Sequence, residues 1–230
     1  MKNNGKEKKD FSKKIVLIFL IVALFVSITI NIVLYISNTK KEAPNAIDEN
    51  VVFFGDSITD QYEVDKYYPK KNVINSGISG NKTEDLINRI DEDVYKYNPS
   101  KVFLLIGIND LCINVEEKDI LFNIQTIING IKNNRRNAII YVESIYPVNT
   151  KKMVETDYGY CRQMDNNRIK SINKKIKDMC IESGVNYIDV YSKLVDKEGY
   201  LKELYTREGL HLNNLGYLKV TSVLNKYFYQ

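Results

Sequence analysis

Short apolar runs that alternate with helix-period stretches constrain this chain more than any other feature. Val51–Phe54, Val102–Ile106 and Ala138–Val142 are wholly apolar. Runs of this length without polar alternation read as strands buried on both faces, as in a parallel sheet. Asn72–Asn75 and Val185–Val190 read as two further short strands. Between them, Thr83–Tyr97 puts Leu86, Ile87, Ile90 and Val94 on one helical face, and Asn98-Pro99 breaks it. Glu116–Asn133 repeats the pattern with Ile120, Ile124, Ile127, Ile128 and Ile131. Asn167–Glu182 is a third helix, stopped at Gly184, and Leu215–Phe228 a last one. Alternation at this rhythm predicts a three-layer α/β/α fold around a parallel sheet of about five strands.

A parallel sheet also says where chemistry belongs, because ligands bind at the carboxyl ends of its strands. Val51–Phe54 runs straight into Gly55-Asp56-Ser57. Ser57 therefore starts a helix at a strand end, with its hydroxyl exposed and its N–H at the positive helix end, which suits a nucleophile. The alternative is that Asp56 and Ser57 merely cap that helix. The second strand leads into Ser76–Thr83, with Gly77 and Gly80, and the third into Gly107-Ile108-Asn109-Asp110. Taken singly, each reads equally well as a tight turn or a cap.

The chain's single histidine, His211, lies just before the last helix and three residues after Glu208. A general base needs a partner that fixes its tautomer and stabilises its cation. A carboxylate on the same turn can fold back onto the imidazole. The other reading of His211 is a lone surface or capping histidine. Two long irregular segments, Ser144–Asp165 with Tyr146, Tyr158, Tyr160 and Arg162, and Tyr191–Leu210, are expected at the same strand ends as Ser57.

Several function classes fall away. One His and three widely spaced cysteines, Cys112, Cys161 and Cys180, argue against a zinc site. One disulfide could form, but an odd count at irregular spacing gives no framework, and buried free thiols are the expected state. Gly80–Thr83 lacks the Gly-Lys pair of a phosphate loop, and no Gly-x-Ser-x-Gly elbow is present. The net charge of +4 resides in residues 1–37, which hold six Lys and two acids; the remainder balances 27 basic against 27 acidic residues. The globular part thus has no basic excess for nucleic acid.

Ahead of it, Ile15–Ile36 is a 22-residue run without a charge. As a helix it would span about 30 Å, enough for a bilayer. The run exceeds the roughly 7–15-residue core of a cleaved signal peptide, the Ser37-Asn-Thr-Lys-Lys-Glu that follows offers no Ala-x-Ala site, and no Cys near its end offers a lipid anchor. The expected organisation is a Lys-rich cytoplasmic tail over 1–14, an uncleaved transmembrane signal anchor over 15–36, a linker over 37–50 and an extracytoplasmic domain over 51–230.

Gly55-Asp56-Ser57, Gly80, Gly107-x-Asn109-Asp110 and the acid-x-x-His that ends at His211 together resemble the SGNH (GDSL-type) hydrolase family. The blocks stand in the family's order and cover nearly all of 51–230. The resemblance implies the flavodoxin-like variant of the fold, Ser57 as nucleophile, His211 as base and Glu208 as its acid. It also implies an oxyanion hole from the Ser57 and Gly80 N–H groups and the Asn109 side chain, with Asp56 and Asp110 in support. Three donors from three strand ends can converge on one developing charge. The chain departs from the family in carrying Glu208 where Asp is usual, and Asn81 where many relatives carry Asp.

The resemblance implies a serine esterase that needs no metal or cofactor. Folds and triads do not name substrates. For an enzyme tethered outside a membrane, O-acetyl groups on cell-wall or surface carbohydrate are the expected target. Lysophospholipid or other acyl esters at the bilayer, acyl transfer to an alcohol, and a non-catalytic surface binding module are the alternatives.

Overall fold

The computed structural model describes residues 21–32 and 49–230. The chain divides into two units, Met1–Ile47 and Asp48–Gln230. In the first, residues 21–32 are helical and exposed. Among the described residues no helix is long and apolar enough to cross a membrane. Both ends of the expected 15–36 span, the 1–14 tail and most of the 37–50 linker lie outside the described residues.

The second unit is built on five parallel strands: β1 Val51–Gly55, β2 Val73–Gly77, β3 Lys101–Leu105, β4 Ile139–Glu143 and β5 Asn186–Ile188. They lie in the order β2-β1-β3-β4-β5. β1 and β3 are central and buried along their whole length, which is why both read as unbroken apolar runs. The helices are α1 Ser57–Asp60, α2 Val64–Tyr67, α3 Thr83–Asp93, α4 Ile108–Cys112, α5 Glu117–Asn134, α6 Thr150–Glu155, α7 Asn166–Ser183, α8 Tyr191–Leu194 and α9 Asn214–Phe228.

Strand periodicity sorts the two faces. Phe53, Phe103 and Tyr141 are register partners across β1, β3 and β4, and successive rings stack at 4.9 Å. Phe228 of α9 lies over them, 6.4 Å from Phe53 and 6.2 Å from Phe103. Phe54, one residue on, faces the other way, toward the Arg89 guanidinium of α3 at 4.7 Å. The five isoleucines of α5 singled out by their spacing are all buried.

Three expectations are corrected. The first helix stops at Asp93, and a 3-10 turn over Tyr95–Tyr97 ends on Asn98 in the left-handed region, φ 46°; the residue before a proline disfavours helix. The loop Ser144–Asp165 contains α6, capped by Asn149, whose Oδ1 accepts from the Lys152 N–H at 3.0 Å. The cysteines are not all free. Cys112 and Cys161 form a disulfide with Cα atoms 4.8 Å apart, and Cys180 alone is a buried thiol. Folding the loop after α6 back toward the end of α4 brings together two residues that are 49 apart in sequence. Spacing alone could not reveal that approach.

Candidate active site

The chain runs from β1 outward to β2 and returns to β3 on the other side of β1. The β1/β3 boundary is therefore the topological switch point, where a crevice opens. Ser57 follows β1 and Asn109 follows β3.

Ser57 is the first residue of α1. A Cβ on Gly55 would run into Thr59 Oγ1 and the Leu105 carbonyl, so only glycine allows the chain to turn this closely at the strand end. Asp56 caps the helix through Oδ1, which accepts from the Ile58 N–H at 3.0 Å. The capping role thus falls to Asp56 alone, and the Ser57 hydroxyl is left to engage His211.

Ser57 Oγ lies 3.0 Å from His211 Nε2, and His211 Nδ1 lies 2.6 Å from Glu208 Oε1. An ionised carboxylate only accepts, so Nδ1 carries the ring proton and Nε2 accepts from the serine hydroxyl. The same Glu208 oxygen accepts from the His211 backbone N–H at 2.7 Å. The longer side chain is thus folded back and held at two points of one turn. Thr206 stiffens that turn: its Oγ1 accepts from the Gly209 N–H and donates to the His211 carbonyl, both at 2.8 Å. Asn213 then caps α9 by accepting from the Gly216 N–H at 3.0 Å.

The other two loops are tied to each other. Gly80 sits at φ +84°, a backbone conformation that favours glycine, although a Cβ there would meet nothing within 4 Å. Asn109 is 2% exposed and its Nδ2 donates to the Asn81 carbonyl at 2.8 Å, leaving one amide hydrogen uncommitted by that bond. Asp110 accepts from the Thr83 N–H at 3.0 Å and from its hydroxyl at 2.7 Å. Ser79, in the Gly80 loop, donates to Asp60 at 2.6 Å.

Two buried carboxylates underlie these loops. Burial pushes Asp56 up to about 7, against the Ile58 N–H bond, with the charge of Asp110 adding to the rise. Burial also raises Asp110, opposed by its bonds to Thr83. Asp56 Oδ2 has no hydrogen-bond partner among the described residues. On the open side, the Tyr158 ring stands edge-on to His211 at 6.0 Å, and Tyr160 is 41% exposed. A cavity of about 450 Å³ is lined by Leu111, Cys112, Asn114, Gly159, Cys161 and Arg168, among others. Its walls continue the chain from Asp110 and from Tyr158.

A model of the GDSL-like lipase/acylhydrolase family matches residues 53–219. The chain belongs to that family. Membership makes the second unit an ester-hydrolysing domain, and the matched segment holds every residue of the site just described. Among curated proteins, the N-acylneuraminate cytidylyltransferase of Escherichia coli O18:K1:H7 is 27% identical over 186 residues, 79% of this chain. The chain spans only 41% of that relative's length. A Streptococcus pneumonia protein, provisionally described as a platelet activating factor, is 28% identical with a TM-score of 0.73; the match covers 90% of this chain and 99% of that one. An acetyl xylan esterase of Geobacillus stearothermophilus shares the fold at 18% identity and a TM-score of 0.61, over 77% of this chain and 93% of that one.

Proposed function

We propose that this chain is a serine esterase anchored in a membrane, which removes O-acetyl groups from cell-wall or surface carbohydrate. One observation carries the mechanism: the unbroken run of contacts Ser57 Oγ–His211 Nε2 and His211 Nδ1–Glu208 Oε1. Ser57 attacks the ester carbonyl as its proton passes to His211 Nε2. Glu208 holds the Nδ1–H and stabilises the imidazolium. The Ser57 and Gly80 N–H groups and the Asn109 amide receive the negative charge on the carbonyl oxygen. Collapse expels the alcohol with the proton from His211 and leaves acyl-Ser57. Water, deprotonated by His211, then releases the acid and restores the serine. Asp56 and Asp110 hold the loops and touch no reacting atom.

The carbohydrate reading draws on the acetyl xylan esterase among the fold's relatives and on Tyr158 and Tyr160 beside the histidine, since aromatic rings offer flat apolar faces to sugar rings. The family's description as lipase/acylhydrolase supports a second reading, in which the acyl group is long. The extracytoplasmic placement draws on Ile15–Ile36 and on the disulfide, a bond rare in a reducing cytosol.

The test is hydrolysis of 4-nitrophenyl acetate, butyrate and palmitate and of acetylated xylan, with Ser57→Ala and Glu208→Gln as controls. Acetyl esters should be preferred. Ser57→Ala should abolish turnover, and Glu208→Gln should lower kcat by roughly 10²–10⁴, the upper end being an acid-to-amide change on another fold. Preference for palmitate would select the lipase reading. Undiminished turnover by folded Ser57→Ala would discard the nucleophile.

A further inference from the structure

Outside the residues assigned a chemical role, one side chain bonds both the end of β1 and the Gly80 loop. Arg89 lies on α3, and its side chain is 15% exposed. Its Nε donates to Asn81 Oδ1 at 2.6 Å, Nη1 to the Ser76 carbonyl at 3.0 Å and to Asp93 at 2.7 Å, and Nη2 to the Gly55 carbonyl at 2.8 Å. Gly55 ends β1 and precedes Asp56-Ser57. Ser76 is the next-to-last residue of β2, before the Gly80 loop. Asn81 is in that loop, and its carbonyl is the acceptor that holds Asn109 Nδ2. The guanidinium carbon lies over the Phe54 ring, 4.7 Å from its centroid.

We propose that Arg89 is a positioning residue for the oxyanion hole: it sets the Gly80 loop against the end of β1 and, through Asn81, aims the Asn109 amide. The proposal rests on the serine-esterase reading above. The planar fork is what the task needs. Carbonyls of two neighbouring strands and an amide oxygen from a loop lie around one rigid group that donates in several fixed directions. A lysine would bring the charge but not the fixed geometry. The guanidinium is partly neutralised by Asp93 alone among the described residues, and no atom of it bonds Ser57, His211 or Glu208. Its effect must therefore pass through the loops. Small displacements of an oxyanion donor weaken binding in the transition state more than in the ground state.

The experiment is a double-mutant cycle on the full chain in detergent, with 4-nitrophenyl acetate as probe. Arg89→Lys should lower kcat by roughly tenfold or more and leave KM within about twofold, the mark of an interaction made in the transition state. Asn109→Ala should lower kcat by roughly 10²-fold. In the Asn109→Ala background, Arg89→Lys should cost several-fold less than in the parent, because coupled residues are not additive, the remainder reporting the Gly80 donor. Asp93→Asn, which removes the ion pair and keeps the fork on the loops, should leave kcat within about twofold of the parent. Full multiplication of the two losses, or normal kcat in folded Arg89→Lys, overturns the positioning role and leaves the esterase reading standing. Normal kcat in Asn109→Ala overturns the oxyanion assignment and this role with it. If Arg89→Lys fails to fold, Asn81→Ala removes only the side-chain acceptor: a tenfold fall in kcat at constant KM supports the proposal, and an unchanged kcat overturns it.

Discussion

At the scale of the residue, the site depends on groups that sequence reading ranks very unequally. Ser57 and His211 stand out because the chain has one histidine and one strand that ends in Gly-Asp-Ser. Asp56 does not look unusual until its burial is seen. It is fully buried and its proton is retained up to about pH 7 in the folded state. The unfolded chain releases that proton near the usual carboxylate value, so the folded state binds more protons between about pH 4 and pH 7. Stability therefore falls as pH rises through that window and levels off above it. Asp56→Asn keeps the oxygen that accepts from Ile58 and removes the titration. Relative to the parent, its Tm should rise by on the order of 5 °C between pH 4.5 and pH 8, given about 2–4 °C per kcal/mol for a domain this size. Glu143, also pushed up to about 7 by burial, titrates in both proteins and cancels in the difference. A difference in Tm that stays flat from pH 4.5 to pH 8, read by calorimetry, would show that Asp56 ionises normally.

At the scale of the element, the disulfide joins the C-terminal end of α4, which carries Asn109 and Asp110, to the loop that carries Tyr158 and Tyr160. A loop closed over 49 residues stabilises by about 4 kcal/mol in the chain-entropy account, with typical cases at 2–4. Replacing both partners, Cys112→Ser with Cys161→Ser, should lower Tm by roughly 5–15 °C. Dithiothreitol should do the same to the parent and nothing to the double variant; an equal shift in both would exclude this bond as the source. The contrast with the strands says what sequence can and cannot reveal. All five strands are legible within a residue or two at most boundaries; burial on two faces writes β1, β3 and β4 as apolar runs, while β2 and β5 at the sheet edges are only partly buried and show as shorter, mixed stretches. The Cys112–Cys161 contact is not legible, since it depends on where a loop returns. Arg89 is hidden for a different reason. With Asp85 and Asp93 it forms a charged stripe at four-residue spacing on α3, which reads as a solvated face. Only the twist of the sheet and the return of the Gly80 loop place it against carbonyls.

At the scale of the whole molecule, the proposed anchor turns on whether the chain spans a membrane and on which side its domain lies. The 22-residue run Ile15–Ile36 is long enough to span a bilayer. Six lysines precede it, and the positive-inside rule holds such a cluster in the cytoplasm, which supports the proposal that the C-terminal domain lies across the membrane. The disulfide independently favours an oxidising compartment for the ester-hydrolysing domain. These two arguments share no residue and rest on different physics, one on transfer of apolar side chains into lipid, the other on thiol redox poise. Both support the proposed tethered domain outside the cytoplasm. The full chain should sediment with membranes and remain there through alkaline carbonate, which strips proteins held by charge. Protease added to intact cells should remove the domain, and the released fragment should retain the disulfide and esterase turnover. Substituting Leu20 and Leu24 by Arg should release the chain from the pellet, since a charge near the centre of a span costs about 2.5–3.5 kcal/mol on insertion scales. Recovery of a shortened active protein from the medium would mean that the apolar run is cleaved rather than kept. A carbonate-extractable chain that protease cannot reach would place the domain inside and leave the disulfide without a compartment that explains it.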